Sequence, residues 1–332
     1  MHARLRIDRH SKSRNNRFTS VRLDRLVELR DNREWLSEAL TSEKARFVPL
    51  WRSRSLIDAS GDEHIAVYLK ADEIQAIDCQ EPPTLLGTDG KRYFFTISIN
   101  DEQQKKVVER HAGANFVDLR LASVNMDAKH AGVLAYAKAL HYWQYRQNFC
   151  GICGAQTARK SAGHKLACTN PECAREYFPR IDPAIIVLVT HGDSCLLGRN
   201  ALWPPKRFST LAGFVEPGES LEDAVAREVH EESGVHLGRI EYVSSQPWPF
   251  PASSMCGFFA EATSKECHTS EEVAELRWFT VDQLRKAVLE NEVLLSPSVS
   301  IAFRLLAEWF EENGGGSLEE LAIEARNRRK QK

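Results

Sequence analysis

Apolar and polar residues follow different periods in successive parts of the chain. In the first 126 residues the apolar runs are short. Phe47-Val48-Pro49-Leu50, the run from Ile65 to Leu69 and the run from Tyr93 to Ile99 read as strands, with Thr88-Asp89-Gly90-Lys91 as a turn. The stretch from Asp72 to Gln80 fits either a strand or a helical turn. This is a strand-rich α+β domain, and substrate closure, dimerisation or a relic of an older fold would all suit it. From Asp127 to about Arg146 the spacing becomes helical. Ala131, Leu134, Ala135, Ala137, Ala139, Leu140 and Trp143 predict a helix that links the first domain to the next. After residue 180 strands and helices mix. Ala184–Thr190 reads as a central strand, His191–Asp193 as a turn and Cys195–Gly198 as its hairpin partner. Trp203–Phe208 is a loop. Strands are expected at 241–245, 255–260 and 274–279, a helix from Thr280 or Asp282, and a last amphipathic helix from Val299 to Phe310. This order predicts an α/β fold with helices on both faces of a mixed sheet.

The sharpest pattern lies between Gly213 and Val235. Ser220 and Asp223 form a capping box that starts a helix near Leu221, and Gly234 is placed to end it. Stepped at about 100° per residue, Leu221, Ala224, Val225 and Val229 share one apolar stripe. Glu228 and Glu232 fall inside that stripe and Glu231 at its edge, while Glu222, Asp223, Arg227 and His230 face the other way. Carboxylates aimed at the inward half of a helix must be protonated, paired or bound to cations. Hard divalent ions such as Mg²⁺ suit this oxygen-rich setting, usually shared with phosphate oxygens. An acidic helix at a solvated boundary is the simpler alternative for three arbitrary glutamates.

Composition narrows the class. With 332 residues, 42% hydrophobic and 27% charged, the chain is sized for two domains and a small third module. A formal charge of -2 argues against general nucleic-acid coating. No apolar run approaches a membrane span, and no continuous apolar core marks a signal peptide. Residues 1–17 read as a flexible leader, with a mitochondrial presequence as the alternative, and 313–332 as a flexible charged tail, with a break at Gly314-Gly-Gly-Ser317 and a helix as an option for the last 15 residues. The C-terminus lacks a Ser-Lys-Leu-type address, so a cytosolic location is the default.

Four of the eight cysteines cluster. Cys150 and Cys153, then Cys168 and Cys173, fit the two knuckles of a zinc ribbon over 148–178. Four thiolates leave no open position for water, so the ion is expected to be structural. Cys195 and Cys256 lie in apolar segments and read as core residues. A reducing compartment follows. Ser245-Gln-Pro-Trp-Pro-Phe-Pro251 is stiff and aromatic. Its prolines preset Trp248 and Phe250 as flat surfaces on which a base can stack, although a loop that covers the core would look the same.

Gly213, Glu219, Arg227, Glu228, Val229, Glu231, Glu232, Gly234 and Val235 all stand in register with the Nudix box G-x5-E-x7-R-E-U-x-E-E-x-G-U. With the cysteine ribbon before it and SQPWPFP after it, the region from about 120 to 310 closely resembles the NADH pyrophosphatases of the Nudix superfamily, and the N-terminal region does so loosely. The resemblance implies a Nudix α/β/α sandwich over 179–312, preceded by domain 18–126, linking helix 127–147 and the ribbon. It implies a hydrolase that splits the diphosphate of NADH or NAD⁺ into AMP and nicotinamide mononucleotide, and that removes NAD caps from RNA in some members. Such enzymes are typically homodimers using Mg²⁺ or Mn²⁺, with a structural Zn²⁺.

Residue by residue, Glu228 and Glu232 would bind the catalytic ions with Glu231 close by, completed by the Ala212 carbonyl and Glu272, whose neighbour Glu271 competes for that place. Glu219 and Arg227 would brace the loop and helix, and either Glu231 or Glu232 would take the proton from water. Phe178 and Phe214 would sandwich the nicotinamide-side ring. Gln246, Pro247, Trp248, Pro249, Phe250, Pro251, Ala252 and Ser253 would hold dinucleotide, with Ala302 near the base and Arg120 as a contact from the first half. Ala-Ser-Ser-Met follows Pro251 where the family more often has a leucine, so a small change in loop packing is expected. Two other readings fit less of this pattern. One is a Nudix hydrolase of ADP-ribose or a sugar nucleotide. The other is a zinc-ribbon regulator that binds nucleic acid and keeps the Nudix fold as a ligand sensor.

Overall fold

A computed structural model describes residues 9–19, 21–79 and 81–330. The chain divides into two compact units. One comprises Phe18–Ile181 with Pro247–Ala252, and the other comprises Met1–Arg17, Asp182–Gln246 and Ser253–Lys332.

In the first unit Ala45–Trp51 and Tyr93–Ser98 pair in parallel at the centre of a six-stranded sheet. Alternation assigns the faces. Phe47 and Phe95 stack at 5.3 Å on one side, and Val48, Leu50 and Phe94 face the other. The helix Ala128–Arg146 packs on the second face through buried Ala131, Leu134, Ala135, Ala137 and Leu140. It is therefore a core element of this unit. The linker reading fails because its small residues let it seat closely against the sheet. The stretch read as strand or helical turn is the helix Ala71–Ile77, and its last residue, Gln80, lies outside the described residues. Only Ile65–Ala66 of the expected strand pairs as one. The ribbon forms a separate three-stranded sheet from Thr157–Lys160, Lys165–Cys168 and Glu176–Tyr177.

The second unit repeats the plan. Asp182–His191 pairs in parallel with Ser253–Ala262, and antiparallel with Ser194–Asn200 and Leu211–Phe214. Leu237–Trp248 and Val273–Thr280 close the two edges of this mixed sheet. Ile185, Val187 and Val189 turn to one face, where the helix Leu221–Ser233 contributes Ala224, Val225 and Val229. Ile186 and Leu188 turn to the other, under Ile301, Leu305 and Trp309 of the helix Ile301–Glu312. Helices thus cover both faces, as the α/β reading requires.

Both ends of the chain depart from the flexible reading. Residues Arg9–Asn15 form a helix, and buried Asn16 donates through Nδ2 to the Ser245 carbonyl at 2.9 Å and to Ser244 Oγ at 3.1 Å. Lys12 pairs with Glu308. Residues 1–8 of the leader and 331–332 of the tail lie outside the described residues. At the other end Leu318–Lys330 is a helix that buries Leu318, Leu321 and Ala325 against the helices before it. The glycines ahead of it make a tight turn. A Cβ on Gly315 would lie 2.4 Å from the Phe310 ring, and Gly314 and Gly316 both have positive φ.

Candidate active site

The helix Leu221–Ser233 begins as its sequence predicts. Ser220 Oγ accepts from the Asp223 amide at 3.1 Å, Asp223 returns the bond, and Gly234 ends the helix at φ 70°. Its inward glutamates then meet the strand Leu211–Phe214. The Glu228 carboxylate lies against Gly213 so closely that a Cβ there would sit 1.8 Å from Glu228 Cδ. This is the physical reason for glycine at the head of the motif: backbone and carboxylate share the space a methyl group would take.

Arg227 ties the loop to the helix. Its Nε and Nη2 donate to Glu219 at 2.5 and 2.9 Å, its Nη2 also to the Phe214 carbonyl at 2.9 Å, and its Nη1 to Glu231 at 3.0 Å. Nη1 is also 3.0 Å from Glu228 Oε1. A bidentate guanidinium–carboxylate pair is both strong and directional. The Arg227 side-chain hydrogen bonds and the Glu216 amide hold the Glu219 carboxyl down to about 2. The same arginine lowers the cost of charge on Glu228, yet burial still raises that carboxyl above its ordinary range.

Glu232 is the most perturbed acid of the set. Burial, then the charges of Glu228, Glu272 and Glu231, push it up to about 8 against a bond from the Ala212 backbone. Its Oε2 is buried and has no hydrogen-bond partner among the described residues. The charge of Glu272 adds to the upward push on both Glu228 and Glu232. Three carboxylates, Glu219, Glu228 and Glu231, thus share the Arg227 guanidinium. A buried acceptor without a donor, beside more acids, is a donor set for a hard cation. The carboxylates form a looser group than the cysteines, whose sulfurs alone among the described residues gather within 4.8 Å.

That second cluster belongs to the other unit. Cys150 and Cys173 Sγ are 3.7 Å apart, and Cys153 and Cys168 Sγ 3.4 Å apart. Four sulfurs about 2.3 Å from a tetrahedral ion have edges of about 3.8 Å. Tyr177 Oη lies 3.0 Å from Cys150 Sγ and accepts from the Gly151 amide at 3.0 Å. With further help from the backbone, this contact lowers the Cys150 thiol to about 6. Sequence reasoning missed Tyr177, which ends one strand of the ribbon.

The remaining predicted contacts divide. Phe214 is 60% exposed, directly after Gly213. Phe178, 63% exposed with the Lys165 ammonium 5.5 Å from its ring, and exposed Arg120 belong to the other unit. Gln246 is not available to a ligand. It is fully buried, its Nε2 donates to the Val299 and Arg17 carbonyls at 2.8 and 3.0 Å, and its Oε1 accepts from the Ile301 amide at 2.8 Å. It satisfies the first turn of the last core helix. Ala302, one residue on, is buried in the same core.

The aromatic loop is likewise committed. Trp248 and Phe250 pack edge-to-face with each other at 5.1 Å and with Phe18 at 6.0 and 5.6 Å, and Pro249 is buried. Both rings are half-buried and pack against an apolar cluster of the first unit, so part of each is committed to the core. Pro247, Ala252 and Pro251 travel with them, while Ser253 opens the strand Ser253–Ala262 of the second unit. Gln246→Ala is expected to destabilise the fold by about 2–4 kcal/mol, because three buried groups lose their partner. A melting temperature within a degree or two of wild type would contradict that role.

A family profile for the NUDIX domain matches residues 180–296, and one for the NADH pyrophosphatase-like rudimentary NUDIX domain matches 44–143. The NAD-capped RNA hydrolase NUDT12 of Homo sapiens is 32% identical over 90% of this chain and 74% of its own length. The chain belongs to the NADH pyrophosphatase-like Nudix hydrolases. The Macaca fascicularis NUDT12 aligns equally far, and the NAD-capped RNA hydrolase NudC of Mycobacterium bovis is 42% identical over 59% of this chain and 66% of its own. In this Nudix hydrolase the profile for 44–143 covers the six-stranded sheet of the first unit, whose central parallel pair repeats that of the second.

Proposed function

We propose that this Nudix hydrolase cleaves the diphosphate bond of NADH, NAD⁺ and NAD-capped RNA, releasing nicotinamide mononucleotide and leaving AMP or an RNA with a 5′-monophosphate. One observation carries the reading: Glu228 and Glu232 share the inward face of one helix, Glu228 against Gly213 and Glu232 on the Ala212 backbone, with Glu232 Oε2 buried and lacking a donor among the described residues. Glu228, Glu232, the Ala212 carbonyl and Glu272 would hold Mg²⁺ or Mn²⁺. Such an ion supplies charge neutralisation for the diphosphate and makes water a better nucleophile.

The chain's own residues do the rest. Arg227 and Glu219 fix the loop from Gly213 to Ser220 on the helix, so the carboxylates need not reorganise when a polyanion arrives. Glu231, 57% exposed at the rim and oriented by Arg227, accepts the water's proton. Exposed Phe214 offers a face to an aromatic ring. The four cysteines hold Zn²⁺ in a closed structural site, and the protein works as a homodimer.

With NADH and Mg²⁺, the expected products are AMP and reduced nicotinamide mononucleotide, separable by chromatography. Hydrolysis confined to ADP-ribose or sugar nucleotides would move the reading to another Nudix substrate. Tight RNA binding with no hydrolysis would replace it by a regulator. The ribbon has its own test: one zinc per chain should be released when all four thiols are titrated. Cys168→Ser should lower the melting temperature and the zinc content together. A chain without zinc that melts normally would contradict the structural site.

A further inference from the structure

Between the strand Ser194–Asn200 and buried Phe208, the second unit carries a loop that the dinucleotide chemistry leaves unused. Ala201 donates its amide to the carbonyl of Glu272 at 2.8 Å, so the loop starts on the peptide of a proposed ion ligand. Leu202 and Trp203 amides turn back on Asn200 at 2.9 and 3.0 Å. At the far end the Leu294 amide donates to the Lys206 carbonyl at 2.7 Å, and the Phe208 amide to the Leu294 carbonyl at 3.1 Å. Pro204-Pro205 stiffens the middle.

A loop pinned at both ends would ordinarily tuck its apolar residues inward. This one does not. Leu202 is 93% exposed and Trp203 38%, with the Arg207 guanidinium 6.0 Å from the indole and Lys206 exposed beside it. Apart from these two, the large apolar side chains this unit exposes among the described residues are Phe214, next to Gly213, and Ile323 on the terminal helix. A rigid aromatic tip with two cations is the combination that single-stranded polynucleotides recognise, stacking a base and pairing a phosphate.

We propose that the loop 201–207 binds the nucleotides that follow the dinucleotide in a capped RNA, and so sets the preference for capped RNA over free NADH. This rests on the active-site reading above. The bond from the Ala201 amide to the Glu272 carbonyl starts the loop beside a proposed ion ligand, within reach of a chain attached to a diphosphate held there. Trp203 and Leu202 stack on a base there, and Lys206 neutralises a phosphate. Free NADH has no such extension, so the loop contributes nothing to its turnover.

The test compares wild type with a Leu202→Ser, Trp203→Ala, Lys206→Gln triple variant on NADH and on a 5′-NAD-capped pentaribonucleotide. The kcat/KM for the capped oligonucleotide is expected to fall about five- to 150-fold, the span of one lost stack. The value for NADH should stay within about twofold, and thermal melting should be unchanged because these side chains are exposed. Lys206→Gln alone should reduce the salt slope of oligonucleotide binding by about 0.7. Equal losses on both substrates, no loss on either, or a changed oligomeric state on gel filtration would overturn the proposal. The last result would assign the tip to a second copy of the chain. If wild type cleaves neither substrate, the active-site reading fails. Fluorescence anisotropy with the uncapped pentaribonucleotide then still decides the loop, since equal affinity of wild type and variant overturns it.

Discussion

Glu232→Gln is expected to lower kcat on NADH by on the order of a thousandfold, the effect of losing several kcal/mol of charge stabilisation. Circular dichroism and zinc content should match wild type, since the side chain reaches no other structural group than the Ala212 backbone. The same substitution has a second signature, set by the sign of the proton linkage. In the folded, ion-free protein the Glu232 carboxyl sits at about 8, against 4.5 ordinarily. Between those values the folded chain holds a proton that the unfolded chain has released. The group's contribution to stability is therefore complete below about pH 4.5 and is lost as pH rises through about 8. Ion-free wild type should weaken between about pH 4.5 and 8, and Glu232→Gln should weaken less, ending roughly 1–3 kcal/mol more stable at pH 9. Added Mn²⁺ should stabilise wild type more at pH 8 than at pH 6, because the ion competes with that proton. A glutamine variant with near-normal turnover would remove Glu232 from the site.

Gly213→Ala should give the second large effect, by a different route. The added Cβ would lie 2.0 and 2.2 Å from the two Glu228 oxygens, distances no real structure tolerates. The colliding atoms are the end of a flexible side chain, so the carboxylate swings away and the fold survives. A misplacement of about 1 Å in a positioning group costs on the order of a hundredfold in rate. We expect a kcat/KM loss of that size, a stability loss of about 1–3 kcal/mol from overpacking, and weaker Mn²⁺ binding by calorimetry. An alanine variant with full activity would show that Glu228 does not need its place against the strand.

These two residues also mark how much was legible beforehand. The helix Leu221–Ser233, its caps and the inward aim of Glu228 and Glu232 follow from spacing alone, because a capping box and a 3.6-residue period are local properties. The central strands of the second unit were legible for the same reason. The terminal helix was legible only as an option, because the charged ending of the chain masks Leu318, Leu321 and Ala325 at helical spacing. What could not be read were long-range commitments. Gln246 is an ordinary polar residue in a strand until Arg17, Val299 and Ile301 surround it. Trp248 and Phe250 meet Phe18, more than two hundred residues away in the chain, and no local pattern announces that contact. The first unit escaped recognition because it keeps the strand order of the second without the acidic helix that makes the motif.

The central claim is that carboxylates seated on Gly213 gather divalent ions onto a diphosphate. Anomalous diffraction from crystals grown with Mn²⁺ and a non-cleavable dinucleotide tests it most directly. The account predicts manganese peaks bridging Glu228, Glu232 and the diphosphate oxygens. Manganese and ligand bound elsewhere, with no peak at these glutamates, would contradict it.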